Sequence, residues 1–110
     1  MDGFYVAYVT AQAGTGLILW VMRGSTMVGV DTSGLKYDGE LARTEKGFHC
    51  SVVYIVPAGA SLITGSPPAS TPQRIPVEFD LPLDFANGQV VSIITPLGPV
   101  NAKFEKLRDL

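Results

Sequence analysis

Glycine and proline constrain this chain most, because they leave few windows long enough for a helix. Twelve Gly and eight Pro are spread over 110 residues, and either residue inside a helix lowers its stability. Between these residues lie short runs rich in Val, Ile, Tyr, Phe and Thr, the types that favour strands. The sequence therefore predicts an all-β chain.

Eight such runs can be recognised, and turn residues separate most of them. Short connections favour antiparallel neighbours, because a parallel crossover needs about a dozen residues or more. We predict a single domain over residues 1–110, a small eight-stranded antiparallel up-and-down barrel, with a β-sandwich as the alternative. The predicted strands are Phe4–Thr10, Thr15–Met22, Thr26–Asp31, Leu35–Arg43, Gly47–Val56, Arg74–Leu83, Gln89–Thr95 and Val100–Arg108.

Several predicted strands alternate between apolar and polar residues. In the fourth strand, Leu35, Tyr37 and Leu41 alternate with charged side chains, and the sixth and eighth strands show the same pattern. This period predicts one buried and one solvated face, with the buried face inside the barrel. The bulky side chains expected inside are Phe48, Tyr54, Phe79 and Phe104.

Residues 57–73 form one irregular segment between the fifth and sixth strands. It contains four prolines, three alanines and three serines, with Leu62 and Ile63 as its only adjacent apolar pair. Loops of this length are usually functional or mobile. We expect Leu62 and Ile63 to plug one end of the barrel, and the alternative is a lid over a cavity.

The residue types that carry catalysis are few. His49 and Cys50 are adjacent, so on a strand they point to opposite faces and cannot act together as base and nucleophile. One His and one Cys cannot form a conventional zinc site. Cys50 is expected to be buried and inert, His49 to face solvent, and Glu78 and Asp80 to be solvated charges. We therefore expect no catalytic residues, no cofactor and no metal.

The charge balance and the chain start limit the partners and the compartment. Eight basic and ten acidic residues give a net charge of −2, which offers no basic surface for nucleic acid. Asp2 lies where a secretory signal would be basic, and the apolar run Leu17–Met22 is far shorter than the roughly 20 residues that span a bilayer. Cys50 cannot form an internal disulfide. We expect a cytoplasmic protein that binds neither nucleic acid directly nor membrane.

The chain contains several short motifs: Met1–Tyr5, Gly14–Leu17, the turn at Arg23-Gly24, Gly29–Asp31 and Leu35–Leu41. These motifs are similar to those of the GrlR-like negative regulators, whose namesake represses a type III secretion locus. The similarity covers most of the chain and is firmest in the first half. It implies an eight-stranded lipocalin-like barrel, a homodimer, and action by binding a regulatory protein.

Two positions depart from that family pattern. The usual Gly-Gly-Asp is here Gly29-Val30-Asp31. Gly29 is expected to allow a close backbone approach or a bulge, and Asp31 to bond its own backbone. The turn after the fourth strand has mixed charges where the namesake has an acidic stretch proposed to contact its activator. We therefore do not infer that this chain binds the namesake's activator. The candidate partner-contact loop is Arg43, Thr44, Glu45 and Lys46.

The resemblance also implies how the barrel closes. In lipocalin-like barrels an aromatic residue early in the first strand can pack under a basic residue of the last strand. Arg108 has the parity of Val100, Ala102 and Phe104. We predict that Tyr5 stacks with Arg108 in a cation–π contact, and the alternative is a frayed, solvated Arg108.

Three strands, the first, second and seventh, are apolar on both faces. Either loops cover their outer sides or they form a subunit interface, since a monomer rarely exposes a large apolar patch. Tyr5 is assigned to the inside, and in the second strand Leu17, Leu19 and Val21 are taken as core residues. The prediction is a homodimer whose interface consists of Phe4, Val6, Tyr8, Ile18, Trp20 and Met22.

Two functions fit these features. The first is a non-enzymatic regulatory protein that binds another protein, a GrlR-like negative regulator of transcription. The second is a carrier of a small apolar ligand inside the barrel. We favour the first, because the bulky inward side chains fill much of a short barrel. An interior cavity above about 300 Å³ would favour the second.

Overall fold

The structure is a computed structural model and describes residues 2–110; Met1, part of the first motif quoted above, lies outside the described residues. Eight antiparallel strands form one sheet in the order β6-β5-β4-β3-β2-β1-β8-β7. The predicted all-β barrel of eight antiparallel strands is thus confirmed. The strands are β1 (Gly3–Ala11), β2 (Gly14–Arg23), β3 (Thr26–Asp31), β4 (Lys36–Arg43), β5 (Gly47–Val56), β6 (Gln73–Pro82), β7 (Asn87–Thr95) and β8 (Gly98–Asp109).

The barrel is nearly but not fully closed. β6 and β7 stand at the two ends of the strand order, and no ladder joins them within residues 2–110. The residues 83–86 connect them, so the two strands are close at that turn and have few contacts elsewhere. The seam between β6 and β7 is therefore the weakest lateral contact of the sheet.

The predicted alternation is confirmed in β4, β6 and β8. Leu35, Tyr37 and Leu41 are buried, as are Val77, Phe79 and Leu81 of β6, and Ala102 and Phe104 of β8. Phe48 is also buried, and Tyr54 packs against the core while partly exposed. Inward residues of all eight strands thus share one core.

The predicted sides of β2 are wrong. Tyr5 lies directly opposite Trp20, and Ala7 opposite Ile18; residues opposite each other in a ladder share a face. The cause is the length of the β1–β2 turn. It has two residues, Gln12 and Ala13, so odd positions of β1 face even positions of β2, whereas a three-residue turn would pair odd with odd. The side chains that face inward, contrary to the prediction, are Ile18, Trp20 and Met22.

Each end of the barrel is filled by a segment outside the strands. At one end Leu62 and Ile63 of the long loop pack against the core, as predicted. At the other end Phe85, from the β6–β7 turn, is buried among three aromatic rings. Those rings, with centroids 5.4–5.9 Å from that of Phe85, belong to Tyr5, Phe48 and Phe104.

Gly29 makes room for an aromatic pair in the core. It lies opposite Trp20 on β2 and Tyr37 on β4, and the centroids of those two rings are 5.2 Å apart. A Cβ at position 29 would lie 2.8 Å from the Leu19 carbonyl oxygen and 2.9 Å from an indole carbon of Trp20. The predicted close approach at Gly29 is therefore confirmed.

Asp31 ends β3 and holds the turn that follows, as predicted. Its Oδ1 accepts hydrogen bonds from the backbone N–H groups of Ser33 and Leu35, at 2.9 and 3.0 Å. Its Oδ2 accepts one from the Tyr37 hydroxyl at 2.9 Å. In the part of the chain that the structure describes, no helix is long and apolar enough to cross a membrane.

Candidate functional site

An apolar surface covers the outside of β1, β2 and β3, and we call it the outer face. The register places Val6 opposite Leu19, and Leu19 opposite Val30 on the next strand. Leu19 is 41% exposed, Val30 46% and Tyr8 47%. The outer face therefore leaves several large apolar side chains in contact with solvent. It consists of Phe4, Val6, Tyr8, Leu17, Leu19, Val21, Val28 and Val30.

Three of the six predicted interface residues belong to this outer face. They are Phe4, Val6 and Tyr8, while Ile18, Trp20 and Met22 lie in the core. Val6 is only 4% exposed although it is not part of the core cluster. It lies on the β8 side of the outer face, between Leu19 on one side and Glu105 on the other.

The strand β3 contributes two further outer-face residues, which the sequence pattern did not assign to either face. Met27 is buried inside, so Val28 and Val30 face outward, and both are exposed. To predict which β2 residues face outward, one must know the length of the β1–β2 turn, and the sequence leaves that length ambiguous. Both sides of β2 are apolar, so its hydrophobic pattern could not decide between them.

Charged residues of both signs border the outer face. On the β4 side, Lys36 lies opposite Val30 and Asp38 opposite Val28. On the β8 side, Lys103 lies opposite Tyr8 and Glu105 opposite Val6. All four charged residues are exposed. Arg108, opposite Phe4, is a further exposed cation on the β8 side. Each border thus offers charges of both signs to a molecule that covers the apolar centre.

Lys106, not Arg108, takes the position predicted for the closing cation. The Lys106 Nζ lies 5.7 Å from the centroid of the Tyr5 ring. The pairing of β1 with β8 shifts between Phe4 and Tyr5, so that Phe4 pairs with Arg108 and Tyr5 with Lys106. This bulge changes the parity of the strand end, and Arg108 is exposed on the side of Phe4. The predicted partner of Tyr5 is therefore wrong, because one extra residue re-aims the side chains that follow.

The candidate partner-contact loop lies at the barrel end that Phe85 fills. Arg43, Thr44, Glu45 and Lys46 are all exposed. The loop is tight, since the Thr44 backbone N–H donates to the Gly47 carbonyl at 2.8 Å. The Arg43 guanidinium carbon lies 5.8 Å from the centroid of the Phe48 ring. Arg43 therefore covers a core ring, while the next three residues remain available at the surface.

A polar cluster that the sequence did not predict lies on the outside of β5 and β6. His49 Nδ1 is 2.7 Å from Asp80 Oδ1, and its Nε2 is 3.0 Å from Glu78 Oε1. Ser51 Oγ donates to the same Glu78 oxygen at 3.1 Å. The register that creates this cluster, His49 opposite Asp80 and Ser51 opposite Glu78, crosses the long loop. No turn length could reveal it from sequence.

The geometry of this cluster favours a charged imidazole. The hydrogen bond to Glu78, and next the one to Asp80, raises the pKa of His49 above its ordinary value. The hydrogen bonds from His49 and Ser51 lower the pKa of Glu78. Both ring nitrogens contact carboxylates and Ser51 donates to Glu78 instead of His49, so this is not a serine–histidine pair for nucleophilic catalysis.

The barrel interior contains a cavity of about 80 Å³ at the end that the long loop plugs. Its wall includes Trp20, Tyr37 and Phe79 from the strands and Leu62 and Ile63 from the loop. Burial raises the pKa of Tyr54 to about 12, and burial with the neighbouring Asp31 raises that of Tyr37 still further. Both tyrosines are therefore neutral phenols at physiological pH.

Cys50 is fully buried, as predicted. Burial, with a smaller contribution from Asp80, raises the pKa of the thiol to about 12. The nucleophilic form of a cysteine is the thiolate, so Cys50 is an unreactive core residue at neutral pH.

No family model, curated protein or solved structure matches the chain.

Proposed function

We propose that this protein is a non-enzymatic regulatory protein of the cytoplasm that acts by binding proteins, beginning with a second copy of itself. The observation that carries the proposal is the outer face, eight apolar side chains continuous over three adjacent strands. Monomeric proteins rarely leave so large an apolar patch in water. Burying it contributes roughly 25 cal/mol for each Å² of apolar area.

A second copy fits the outer face better than an unrelated protein because the borders are self-complementary. In a two-fold contact each patch meets the identical patch. The β4 border of one copy can then meet the β8 border of its partner. The ladders place Lys36 level with Glu105 and Asp38 level with Arg108. Lys36 of one copy would therefore face Glu105 of the other, and Asp38 would face Arg108, so each cation meets an anion. The Tyr and Phe residues within the patch are types enriched at interface cores.

A dimer formed in this way leaves the partner-contact loop at the end of each barrel. Glu45 and Lys46 carry opposite charges, which suits a partner without a strong net charge of its own. The resemblance to the GrlR-like negative regulators supports a partner that controls transcription, with repression as the result. Direct contact with nucleic acid is not part of the proposal, since the net charge is −2.

The interior supports a carrier function less well than the outer face supports protein binding. The cavity measures about 80 Å³, whereas pockets for drug-sized ligands measure roughly 300–1,000 Å³. Side chains and the two end plugs occupy most of the barrel.

Light scattering after size exclusion tests the dimer. We expect a mass near twice 11.7 kDa for the wild type, and half of that for Leu19→Glu, which places a charge in the middle of the outer face. Ile94→Glu is the matched control, because Ile94 is an apolar β7 residue that is 73% exposed and lies outside the outer face. A wild-type monomer at micromolar concentration contradicts the proposal, as does dissociation by the control variant alone.

The regulatory step is tested by an affinity pull-down that compares two charge variants. Glu45→Lys alters the partner-contact loop, and Asp84→Lys alters an exposed residue of the neighbouring β6–β7 turn. We expect a regulatory protein to be captured by the wild type and by the Asp84 variant but not by the Glu45 variant. Equal capture by all three would remove the loop from the proposal.

A further inference from the structure

An asparagine followed by a glycine begins β7, directly after the turn that carries Phe85. Asn87 and Gly88 are both exposed, and Gly88 has a left-handed backbone with a φ of 86°. The ladder between β7 and β8 shifts between Asn87 and Val90, so Gly88 lies in a β-bulge and has no Cα partner among residues 2–110. A Cβ at position 88 would meet no atom of the described chain within 4 Å. The peptide bond between Asn87 and Gly88 is therefore open to solvent and less restrained than the rest of the sheet.

Two hydrogen bonds hold the Asn87 side chain over its own backbone. The Gln89 backbone N–H donates to the Asn87 Oδ1 at 2.9 Å, an Asx-turn that encloses the backbone nitrogen of Gly88. The Asn87 Nδ2 donates to the Asp84 Oδ2 at 2.9 Å. An N–H aimed at a carbonyl oxygen stabilises the negative charge that develops there when a nucleophile adds to the carbonyl carbon. The Cγ of Asn87 is thus made more electrophilic beside a nitrogen that can attack it.

We propose that Asn87 is a site of self-modification, at which this chain converts its own side-chain amide to a carboxylate. The Gly88 backbone nitrogen loses its proton to solvent and forms a bond to the Asn87 Cγ, which closes a five-membered imide ring. The bond between Cγ and Nδ2 breaks, and the nitrogen takes up a proton and leaves as ammonia. Water then opens the ring at either carbonyl and gives aspartate or isoaspartate.

The second asparagine of the chain provides an internal comparison. Asn101 lies in the middle of β8, opposite Thr10 on β1 and Ser92 on β7. Its Oδ1 accepts a hydrogen bond from the Ser92 hydroxyl at 2.9 Å. The next residue is Ala102, which is 1% exposed, so closing a ring at Asn101 would disturb two ladders and displace a buried Cβ. We therefore expect the reaction at Asn87 and not at Asn101.

The product changes the turn that fills one end of the barrel. A carboxylate oxygen replaces the Asn87 Nδ2, so the hydrogen bond to Asp84 is lost and two like charges face each other. Isoaspartate also adds one methylene carbon to the main chain between the turn 83–86 and β7. Phe85 lies in that turn, and its backbone N–H donates to the Pro82 carbonyl at 3.1 Å. The reaction therefore loosens this end of the barrel as the protein ages, and it does so whether or not the proposed dimer forms.

Mass spectrometry of the aged full-length protein tests the site. Trypsin cleaves after Arg74 and Lys103 and so releases both asparagines in one peptide, residues 75–103. The folded protein is incubated in mildly alkaline buffer, and fragmentation of this peptide locates the exchange of NH₂ for OH and separates aspartate from isoaspartate. We expect both products at Asn87, formed at least about tenfold faster than at Asn101, which corresponds to a barrier lower by about 1.4 kcal/mol. Asn87→Gln, whose ring would need an additional carbon, should remain unmodified over the same period.

Urea unfolding tests the consequence for the barrel end. Asn87→Asp should unfold at a urea concentration about 0.5–1 M lower than the wild type, because it loses one hydrogen bond and gains a like-charge contact. The matched control is the double variant Asp84→Asn with Asn87→Asp, which restores an amide and a carboxylate with exchanged roles. Its unfolding midpoint should return toward that of the wild type.

Three results would overturn the proposal. One is an Asn87 that stays intact in the folded protein while it reacts in the urea-unfolded protein, which would show that the turn protects it. Another is an equal rate at the two asparagines. The third is an unfolding midpoint of Asn87→Asp that equals that of the wild type, or that the double variant does not raise. The rates are measured on the wild-type chain, so they decide even if a variant does not fold.

Discussion

Replacing Phe85 by Ala should be among the most destabilising single changes in this protein, although Phe85 lies in a turn. Its side chain is 3% exposed and contacts three aromatic rings, two of them edge-on at interplanar angles of 89° and 87°. Phe→Ala changes in protein cores cost about 3–5 kcal/mol. Aromatic pairs can contribute about 0.5–1.5 kcal/mol each beyond their buried area, so we expect the upper part of that range.

This loss is large compared with the stability that a domain of this size has. Small domains unfold with a free energy of about 5–15 kcal/mol. With a urea m-value near ~2 kcal/mol/M, a loss of about 4 kcal/mol moves the unfolding midpoint down by ~2 M. The assay is urea unfolding followed by Trp20 fluorescence, with all variants at one protein concentration, because a dimer makes the midpoint concentration-dependent.

Two controls separate the ring contacts from simple volume and from position. Phe85→Leu keeps most of the apolar volume and should cost less, about 1–2 kcal/mol. Leu62→Ala, at the opposite end, removes a partly buried side chain and should also cost less than Phe85→Ala. A loss below about 1 kcal/mol for Phe85→Ala would refute the view that this ring closes the barrel end.

Three further predictions concern single residues. An NMR titration of His49, the only histidine, should give a pKa above the ordinary 6.5, and this pKa should fall when either carboxylate partner is replaced by its amide. Because the folded-state pKa is the higher one, the stabilisation is complete below about pH 6.5 and is lost as the pH rises through the folded value. A pKa at or below 6.5 would contradict the paired geometry. Gly29→Ala should lower the free energy of unfolding by about 1–3 kcal/mol, since its Cβ would lie 2.8 Å from the Leu19 carbonyl oxygen. The control is Gly16→Ala, whose Cβ would have a Val9 methyl at 3.3 Å as its nearest neighbour. This control should lower the free energy of unfolding by less in the same urea assay. Cys50 should react with a thiol reagent at pH 8 no faster than the protein unfolds, because its pKa is raised to about 12, and rapid labelling of the native protein would contradict its burial.

The strands could be predicted from sequence because local chemistry determines them. Glycine, proline and turn residues mark nearly every boundary, and the period of two assigns the faces of β4, β6 and β8. The roles of Gly29 and Asp31 could be predicted for the same reason, because their partners lie on adjacent strands or in the next turn.

Three of the wrong or missing assignments depend on register. The inward side of β2 depends on whether the β1–β2 turn has two residues or three. One bulge places Lys106, and not Arg108, beside Tyr5. The partners of His49 depend on strand pairing across the long loop. Phe85 lies outside every predicted strand, and nothing in the sequence of a four-residue turn reveals that its ring enters the core. The bulge, the pairing across the long loop and the packing of Phe85 all need information from residues far apart in the chain.

The two-residue turn between β1 and β2 has a consequence for how this sequence can change over evolution. Both faces of this hairpin are apolar, so substitutions among apolar residues should be tolerated on either side. An insertion of one residue in the turn would exchange the two faces of β2. Leu17 and Leu19 would enter the core and Trp20 would leave it, with little penalty from hydrophobicity alone. Only the fit of the indole beside Gly29 distinguishes the two arrangements. Outside Trp20, this hairpin should therefore tolerate apolar substitutions more readily than a change in the length of its turn.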